Sequence, residues 1–232
     1  AKESGEYNPQ DPYKNRDPRL TQTVFYHNSR WLRANVDVSE GGKDNNSIEP
    51  TQEATRTKTG YYLKRHLAEN EEDTQFGKTN FHSSIVSSWP VVRYADILLM
   101  NAEALAELGE LDKTAWDATI KPIRDRAGFT LASALEFPEG ASKDKLIEIV
   151  RNERRSELAL EGHRHKDIIR WRIADNVLNG WCHGLKTNDV VGTDDGYVRV
   201  ENRTFNANKH YLWPIPQAER DLNGNLEQNP NW

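Results

Sequence analysis

Hydrophobic residues recur at helical spacing from Pro90 onward, and this periodicity constrains the fold more than any other feature of the sequence. Apolar side chains between Ile97 and Leu108 follow one another at intervals of three and four, and Gly109 is a typical stop signal. Pro90 suits the first position of a helix. The pattern therefore predicts a helix from Pro90 to Leu108 whose apolar face includes Ile97 and Leu108.

Three more helices are predicted downstream from local start and stop signals. One spans 114–127, ends at Gly128 and is interrupted by Pro122, which removes a backbone hydrogen bond and should kink the helix. Another begins after Ser142, a good N-cap, and ends before Gly162. The last runs from about 164 to 176. The helices thus form two antiparallel-looking pairs, 90–127 and 142–177, as in an α-solenoid.

The segments on either side lack sustained helical periods. Short runs at 23–26 and 60–63 are predicted to pair as strands, and the acidic stretch 69–80 to form a surface loop. Prolines alternate with large apolar residues over 211–216, so this segment must be extended, and we expect Leu212, Trp213 and Ile215 to pack against the helices. The sequence predicts a mainly α, helical-repeat scaffold with long irregular loops and a few short strands. It divides into a loop-rich segment (1–89), the helix pairs (90–178) and an irregular tail (179–232).

Composition excludes several classes of partner. The 232 residues carry 31 Lys and Arg against 36 Asp and Glu, a net charge of −5, which gives no electrostatic reason to bind nucleic acid or an anionic membrane. No run of about 18 apolar residues is present, so we expect no transmembrane helix. The single cysteine, Cys182, excludes an internal disulfide framework. Because the chain opens with Ala1, we expect a fragment or processed form whose export signal or lipid anchor lies outside it.

Familiar catalytic and cofactor motifs are missing from the sequence. There is no phosphate-binding glycine loop and no GxGxxG, GxSxG or HExxH motif, so we expect no cofactor. The neighbours Cys182 and His183, the pair His163 and His165, and the run 194–196 (Asp-Asp-Gly) could offer a nucleophile or metal ligands. Incidental, capping or turn roles are favoured for all of them.

Three glutamates, Glu153, Glu157 and Glu161, lie four residues apart and should line one helical face. Two such carboxylates could act as acid and base in a glycoside hydrolase. Neighbouring arginines, among them Arg154 and Arg164, would lower the carboxyl pKa values, whereas a general acid needs its pKa raised. We therefore predict a structural ion-pair network of these five residues, and hydrolysis by Glu153 and Glu157 is the less favoured alternative.

Aromatic residues give the clearest functional signal. Seven Trp and eight Tyr are more than a lean core needs, and flat rings can bind the apolar faces of sugars while polar neighbours bind the hydroxyls. We predict a carbohydrate site on the loops of residues 21–65, with Trp181 of the 179–200 loop in reserve. The predicted contact residues in the first region are Tyr26, His27, Asn28, Arg30 and Trp31.

Three motif segments stand out by their order and spacing. The first is PYKNRDPRL (12–20). The second runs from RYADILL (93–99) through IRDRAG (123–128), ERRSEL (153–158) and EGHR (161–164) to RW (170–171). The third combines YLWPIP (211–216) with QNP (228–230). Together they cover nearly the whole chain, and they resemble the SusD/RagB family of nutrient-binding lipoproteins of the Bacteroidetes outer membrane.

The resemblance implies a tetratricopeptide-like fold, of which this chain would be the C-terminal part, and a non-catalytic role. Members of that family bind glycans or related nutrients at the cell surface, anchored by an N-terminal lipid that would lie outside this chain. They act as a lid on a TonB-dependent (SusC-like) transporter. We therefore expect oligosaccharide capture and delivery at the outer membrane. The main alternative is a helical-repeat scaffold that binds only protein.

Overall fold

The computed structural model describes residues 8, 11–31, 34–39, 42, 44, 57–65, 67, 90–186 and 193–232. The chain divides into two compact units, residues 1–45 with 62–161 and residues 46–61 with 162–232. The helices are α1 (Leu20–Thr23), α2 (Tyr94–Leu108), α3 (Lys113–Ala127), α4 (Ala132–Leu135), α5 (Lys143–Glu157), α6 (His163–Arg170), α7 (Ala174–Val177) and α8 (Gln217–Leu222). The strands are β1 (Val24–Phe25), β2 (Arg30–Trp31), β3 (Ala34–Asn35), β4 (Tyr62–Leu63), β5 (Gly180–Lys186), β6 (Thr193–Asp194) and β7 (Tyr197–Arg203).

Three 15-residue helices, α2, α3 and α5, build the core of the first unit. Small residues on α2 let its neighbours approach closely, and Trp116 of α3 fills the space beside them. The indole nitrogen of Trp116 donates a hydrogen bond to the carbonyl oxygen of Leu135 at 2.8 Å, which satisfies the buried polar group. The most buried apolar residues of this core are Leu99, Ala102, Ala106, Trp116, Ile120 and Val150.

Helix α2 differs from its prediction at its start and in the face it buries. It begins at Tyr94 rather than Pro90, because Arg93 is extended. The predicted apolar face is wrong for Ile97 and Leu108, which are exposed, whereas Asp96 is buried. Burial of this carboxylate is possible because Asp96 accepts a hydrogen bond from Arg154 at 2.5 Å.

Local capping signals are confirmed where they act within one turn. Gly109 and Gly128 end α2 and α3 in left-handed conformations, with φ of 78° and 89°. The Ser142 hydroxyl accepts a hydrogen bond from the Lys145 amide and starts α5. Helix α3 runs through Pro122. Gly162 does not follow α5 directly, because α5 ends at Glu157 and Gly162 immediately precedes α6.

The helix predicted over 164–176 is split into α6 and α7. Arg172 adopts φ of 57° between them and lies over the Tyr211 ring, 4.4 Å from its centroid. The Tyr211 hydroxyl accepts a hydrogen bond from the Ala174 amide at 3.1 Å and donates one to Asp175 at 2.7 Å. A side chain remote in sequence thus caps the start of α7.

Three small sheets organise the remaining segments that the structure describes, and one of them pairs β2 with β3. Strands β1 and β4 are antiparallel, with Phe25 opposite Tyr62, as the sequence predicted. Strands β5, β7 and β6 form a sheet, in that order, where irregular chain was expected. Asp195 and Gly196 connect β6 to β7 with φ of 51° and 82°, the two positive values of a type I′ hairpin turn.

The expected burial of Leu212 and Trp213 is wrong. Leu212 is exposed, and Trp213 is 77% exposed. Polar side chains hold this part of the tail instead: Gln228 bonds both the amide and the carbonyl of Ile215, and Asn229 donates to the Trp213 carbonyl at 2.7 Å. Among the helices that the structure describes, none is long and apolar enough to span a bilayer.

Candidate functional site

Glutamates near the end of α5 form the densest charge cluster of the first unit. Glu153 accepts hydrogen bonds from Arg19 and Arg124, both at 2.7 Å. Glu157, with 1% of its surface exposed, is contacted by three arginines: Arg126 at 2.6 Å, Arg93 at 2.9 Å and Arg19 at 3.1 Å. Each carboxylate therefore has more than one cationic partner.

Glu161 extends this cluster beyond the end of α5. Arg93 reaches it at 2.8 Å and Arg65 at 2.5 Å, so Arg93 bridges Glu157 and Glu161. Burial opposes the charge on Arg93, but hydrogen bonds to the two glutamates outweigh this effect and raise the pKa of its guanidinium above the usual value. Each carboxylate of this cluster is held by arginine side chains, an arrangement typical of a structural ion-pair network.

The two arginines predicted for the network make the following contacts. Arg154 pairs with Asp96 of α2. Arg164 lies in the second unit, with its guanidinium carbon 5.8 Å from the centroid of the Trp171 ring. The arginines that contact the glutamates were not predicted from the sequence. All except Arg65 lie within the motif segments described above. These missed residues are Arg19, Arg65, Arg93, Arg124 and Arg126.

The predicted sugar-binding rings of the first unit are in contact with other side chains of the protein. Tyr26 stacks on Tyr13, with ring centroids 3.9 Å apart and planes 19° apart. Trp31 is half-buried and meets Phe25 edge to face at 4.9 Å, and the amine of Lys64 lies 5.8 Å from the Trp31 centroid. Burial, and after it the charge of Asp11, raises the pKa of Tyr26. Both rings therefore already pack against protein.

The polar residues of the same prediction lie in the turn at 27–28 and on the strand that follows it. The Asn28 amide donates to the Val36 carbonyl at 2.8 Å, and Asn28 itself has a φ of 65°. Nδ1 of His27 lies 3.6 Å from a carboxylate oxygen of Asp37. Arg30 is exposed on β2, opposite Asn35 of β3. The structure thus keeps the five predicted residues close together on a hairpin.

Trp181 is presented differently, on strand β5 of the second unit. Trp181 is 45% exposed, and the guanidinium carbon of Arg199 lies 5.5 Å from the centroid of its ring. His183 follows two residues later and is paired across the ladder with Arg199. Arg199 therefore lies next to both Trp181 and His183.

A carboxylate on β6 links the polar residues beside Trp181. Asp194 accepts a hydrogen bond from Nε of Arg199 at 2.8 Å, and its other oxygen lies 2.9 Å from Nε2 of His183. These contacts, that of Arg199 first and that of His183 second, lower the pKa of Asp194 to about 2. Sequence reasoning missed this group, although the Asp-Gly turn that positions Asp194 was a readable hairpin signal. The Trp181 cluster is defined as Trp181, His183, Asp194 and Arg199.

Metal binding has no support in the described part of the chain. No group of three or more His, Cys, Asp or Glu side chains there is arranged to hold an ion. Cys182 is a half-buried free thiol. Asp194 and Asp195 serve the hairpin turn described above.

The whole chain, residues 1–232, matches the family model of the SusD family, and the chain belongs to this family. SusD-like protein P2 of Formosa agariphila is 31% identical over 166 residues, which are 71% of this chain and 29% of that protein. SusD-like protein P38 of the same organism is 33% identical over 128 residues, 52% of this chain and 25% of that protein.

Solved structures show the same relationship. A SusD-like carbohydrate-binding protein from Bacteroides fragilis is 32% identical, with a TM-score of 0.72 over 95% of this chain and 43% of that chain. A second SusD-like protein from B. fragilis, 24% identical, shares the fold with a TM-score of 0.73 over 97% of this chain and 40% of that chain. The mainly α, tetratricopeptide-like fold expected from the sequence is confirmed.

These comparisons also set the scope of the relationship. The chain spans less than half the length of the relatives and solved structures it matches. The family is a carbohydrate-binding, non-catalytic one that serves polysaccharide utilization in Bacteroidetes, and its members are cell-surface lipoproteins.

Proposed function

We propose that this chain belongs to a cell-surface protein that captures oligosaccharide, with the Trp181 cluster as its principal sugar contact. The observation that supports the site is the exposed Trp181 side chain on strand β5, beside polar groups that already contact one another. Family membership supports the ligand class, since one matched structure is described as a SusD-like carbohydrate-binding protein.

The physical argument combines stacking with fixed polar partners. An exposed indole offers a flat apolar surface on which the C–H face of a pyranose ring can be buried. Arg199 and His183 can donate hydrogen bonds to hydroxyl groups, and Asp194 can accept them. Because Asp194 already orients both partners, little side-chain freedom is lost on binding.

The hairpin around Trp31 is a second candidate for the same function. Its polar residues His27, Asn28 and Arg30 could serve a sugar placed on Tyr26 or Trp31. Each ring, however, already contacts another aromatic residue, so a sugar would have to use the remaining edge or displace that contact. This argument ranks the hairpin below the Trp181 cluster.

We further propose that binding is not coupled to catalysis and that the sugar passes to a TonB-dependent (SusC-like) transporter in the outer membrane. A lipid anchor outside this chain would hold the protein at the cell surface. The arginines around Glu153 and Glu157 support a structural role for the pair that a glycoside hydrolase would use. A scaffold that binds only protein remains the main alternative.

A glycan array separates these functions. The 232-residue chain should bind a defined subset of oligosaccharides and release no reducing sugar from them. Absence of binding to any glycan, by the chain and by the longer protein that contains it, would favour the protein scaffold. Release of reducing sugar that disappears in Glu157→Gln, with the fold intact by circular dichroism, would favour the hydrolase.

A further inference from the structure

The contact between His183 and Asp194 decides which nitrogen of the His183 ring carries its proton. Nε2 of His183 lies 2.9 Å from Oδ2 of Asp194, which is a hydrogen-bond distance. A neutral imidazole has one nitrogen that donates and one that accepts, so the partner of one nitrogen fixes the role of the other. The partner of Nε2 therefore determines what Nδ1 offers to a ligand.

Asp194 acts only as an acceptor in this contact. An ionised carboxylate has no proton to donate, and the hydrogen bonds of Arg199 first and His183 second keep the pKa of Asp194 at about 2. Nε of Arg199 donates to Oδ1 of Asp194 at 2.8 Å, and Nη2 of Arg199 donates to the same oxygen. Nε2 of His183 must then donate to Oδ2, so Nδ1 of the neutral ring carries a lone pair.

Two groups of the Trp181 cluster therefore face a ligand with opposite hydrogen-bonding roles. Nδ1 of His183 is an acceptor, and Nη1 of Arg199 is a donor that takes no part in the contact with Asp194. Both side chains are partly exposed, at 38% for His183 and 40% for Arg199. A sugar hydroxyl both donates and accepts, whereas the oxygens of a methyl ether or a sulfate ester only accept.

We propose that Asp194 is a positioning residue that keeps the His183 proton on Nε2, and that the cluster therefore selects sugars with a free hydroxyl group opposite Nδ1. A methyl ether or sulfate ester there would set an oxygen lone pair against the lone pair of Nδ1, and the contact would be repulsive. This inference rests on the proposed sugar-binding function and names the class of sugar that the site accepts. It applies to the neutral His183 ring, because a protonated ring donates from both nitrogens.

Nitrogen NMR of the His183 ring tests the positioning role without a sugar. The spectra distinguish the two tautomers of a neutral imidazole and are recorded at about pH 8, above the ordinary titration range of the ring. The wild-type chain should hold the proton on Nε2, and Asp194→Leu, which removes the acceptor, should increase the fraction with the proton on Nδ1. The matched control Arg199→Met removes a partner of Asp194 but keeps the contact with His183, so its tautomer should stay as in the wild type. A wild-type ring with its proton on Nδ1, or a distribution unchanged in Asp194→Leu, would overturn the proposal.

Calorimetric titration with fluorinated sugars tests the selectivity. The probes are the oligosaccharide with the strongest signal on the glycan array and its derivatives in which a single hydroxyl is replaced by fluorine, because carbon-bound fluorine has no proton to donate. At one ring position the replacement should weaken binding to the wild-type chain by about three- to tenfold. In His183→Ala the acceptor is absent, so the same replacement at that position should change the affinity by less than about twofold.

The outcomes separate this inference from the function on which it rests. Absence of any binding glycan, or full affinity in Trp181→Ala, would refute the sugar site and the inference together. Weaker binding in Trp181→Ala, with equal fluorine penalties in the wild-type chain and in His183→Ala, would refute the inference alone and leave the sugar site in place. Weaker binding in Trp181→Ala, with a fluorine penalty that requires His183, would support both.

Discussion

Arg19 and Glu153, 134 positions apart in the chain, form a buried ion pair in which Nη1 of Arg19 lies 2.7 Å from Oε1 of Glu153. Asp17 holds the same guanidinium at 2.6 Å from the other side. Burial opposes the charge of Arg19, yet the hydrogen bond to Asp17 and the charge of Glu153 outweigh it and raise the pKa of Arg19. The pair fastens the loop-rich first segment to α5.

Removing one carboxylate from this cluster should be costly. In Glu157→Ala, Arg93, Arg126 and Arg19 lose a shared partner, and breaking a buried pair costs about 3–5 kcal/mol. For a domain of this size the loss corresponds to a drop in melting temperature of roughly 6–20 °C. Thermal unfolding followed by circular dichroism measures it. The control Glu148→Ala, on the exposed side of the same helix, should change little, and equal melting temperatures in both variants would refute the structural role.

The close approach of β5 to residues 57–60 provides a steric prediction. A Cβ atom on Gly184 would lie 2.7 Å from the carbonyl oxygen and 2.9 Å from Cα of Thr59, closer than real contacts allow. Gly184→Ala should therefore lower the free energy of unfolding by about 1–3 kcal/mol. Gly224→Ala meets open space and should be nearly neutral in the same chemical denaturation experiment. Indistinguishable stabilities would show that β5 does not pack this closely on the Thr59 backbone.

The cap that Tyr211 provides for α7 predicts a difference between two neighbouring aromatic residues. Tyr211→Phe removes the hydroxyl that bonds the Ala174 amide and Asp175, and should destabilise the fold by about 1–2 kcal/mol. Trp213→Ala removes an exposed ring and should change stability by less than about 0.5 kcal/mol. Chemical unfolding curves give the loss in free energy of unfolding for each variant. A larger loss for Trp213→Ala than for Tyr211→Phe would support the buried tail that the sequence predicted.

Titration of Asp194 tests the geometry beside Trp181. Its pKa should be about 2 in the folded protein, below the value of 3.8 for an unperturbed carboxyl, because Arg199 and then His183 bond its ionised form. The depressed pKa means that these contacts favour the folded state above about pH 4, and that this contribution is lost as the pH falls toward 2. Carboxyl NMR should show the Asp194 pKa rising toward 3.8 in Arg199→Met. An unchanged pKa would contradict the described contacts.

Features set by neighbouring residues were predictable from the sequence. Gly109, Gly128 and Ser142 act within one helical turn, and each ends or begins a helix where expected. The β1 and β4 segments were recognised by composition and do pair. The Glu153 and Glu157 spacing placed both carboxylates on one helical face.

Features set by distant residues were not predictable. Asp96 is buried beside Arg154, 58 positions away in the chain, and hydrophobic periodicity alone wrongly placed Ile97 and Leu108 toward the core. The break after α6 depends on Tyr211, whose hydroxyl is supplied 37 positions beyond Ala174. The three-stranded sheet of β5, β7 and β6 escaped notice because glycines in β5 weaken the alternation that marks a strand. The same sheet brings together the residues of the Trp181 cluster, so their proximity could not be predicted from the sequence.

Calorimetric titration with a glycan selected on the array is the most direct test of the central claim, that an exposed indole on β5 binds the sugar. Trp181→Ala should weaken binding by about tenfold, equivalent to about 1.4 kcal/mol, with an unchanged melting temperature. Trp31→Ala should instead lower the melting temperature, because its ring packs on Phe25, and should leave the affinity of the folded molecules intact. Full affinity in Trp181→Ala, with a loss confined to Trp31→Ala, would contradict the account and move the sugar to the hairpin.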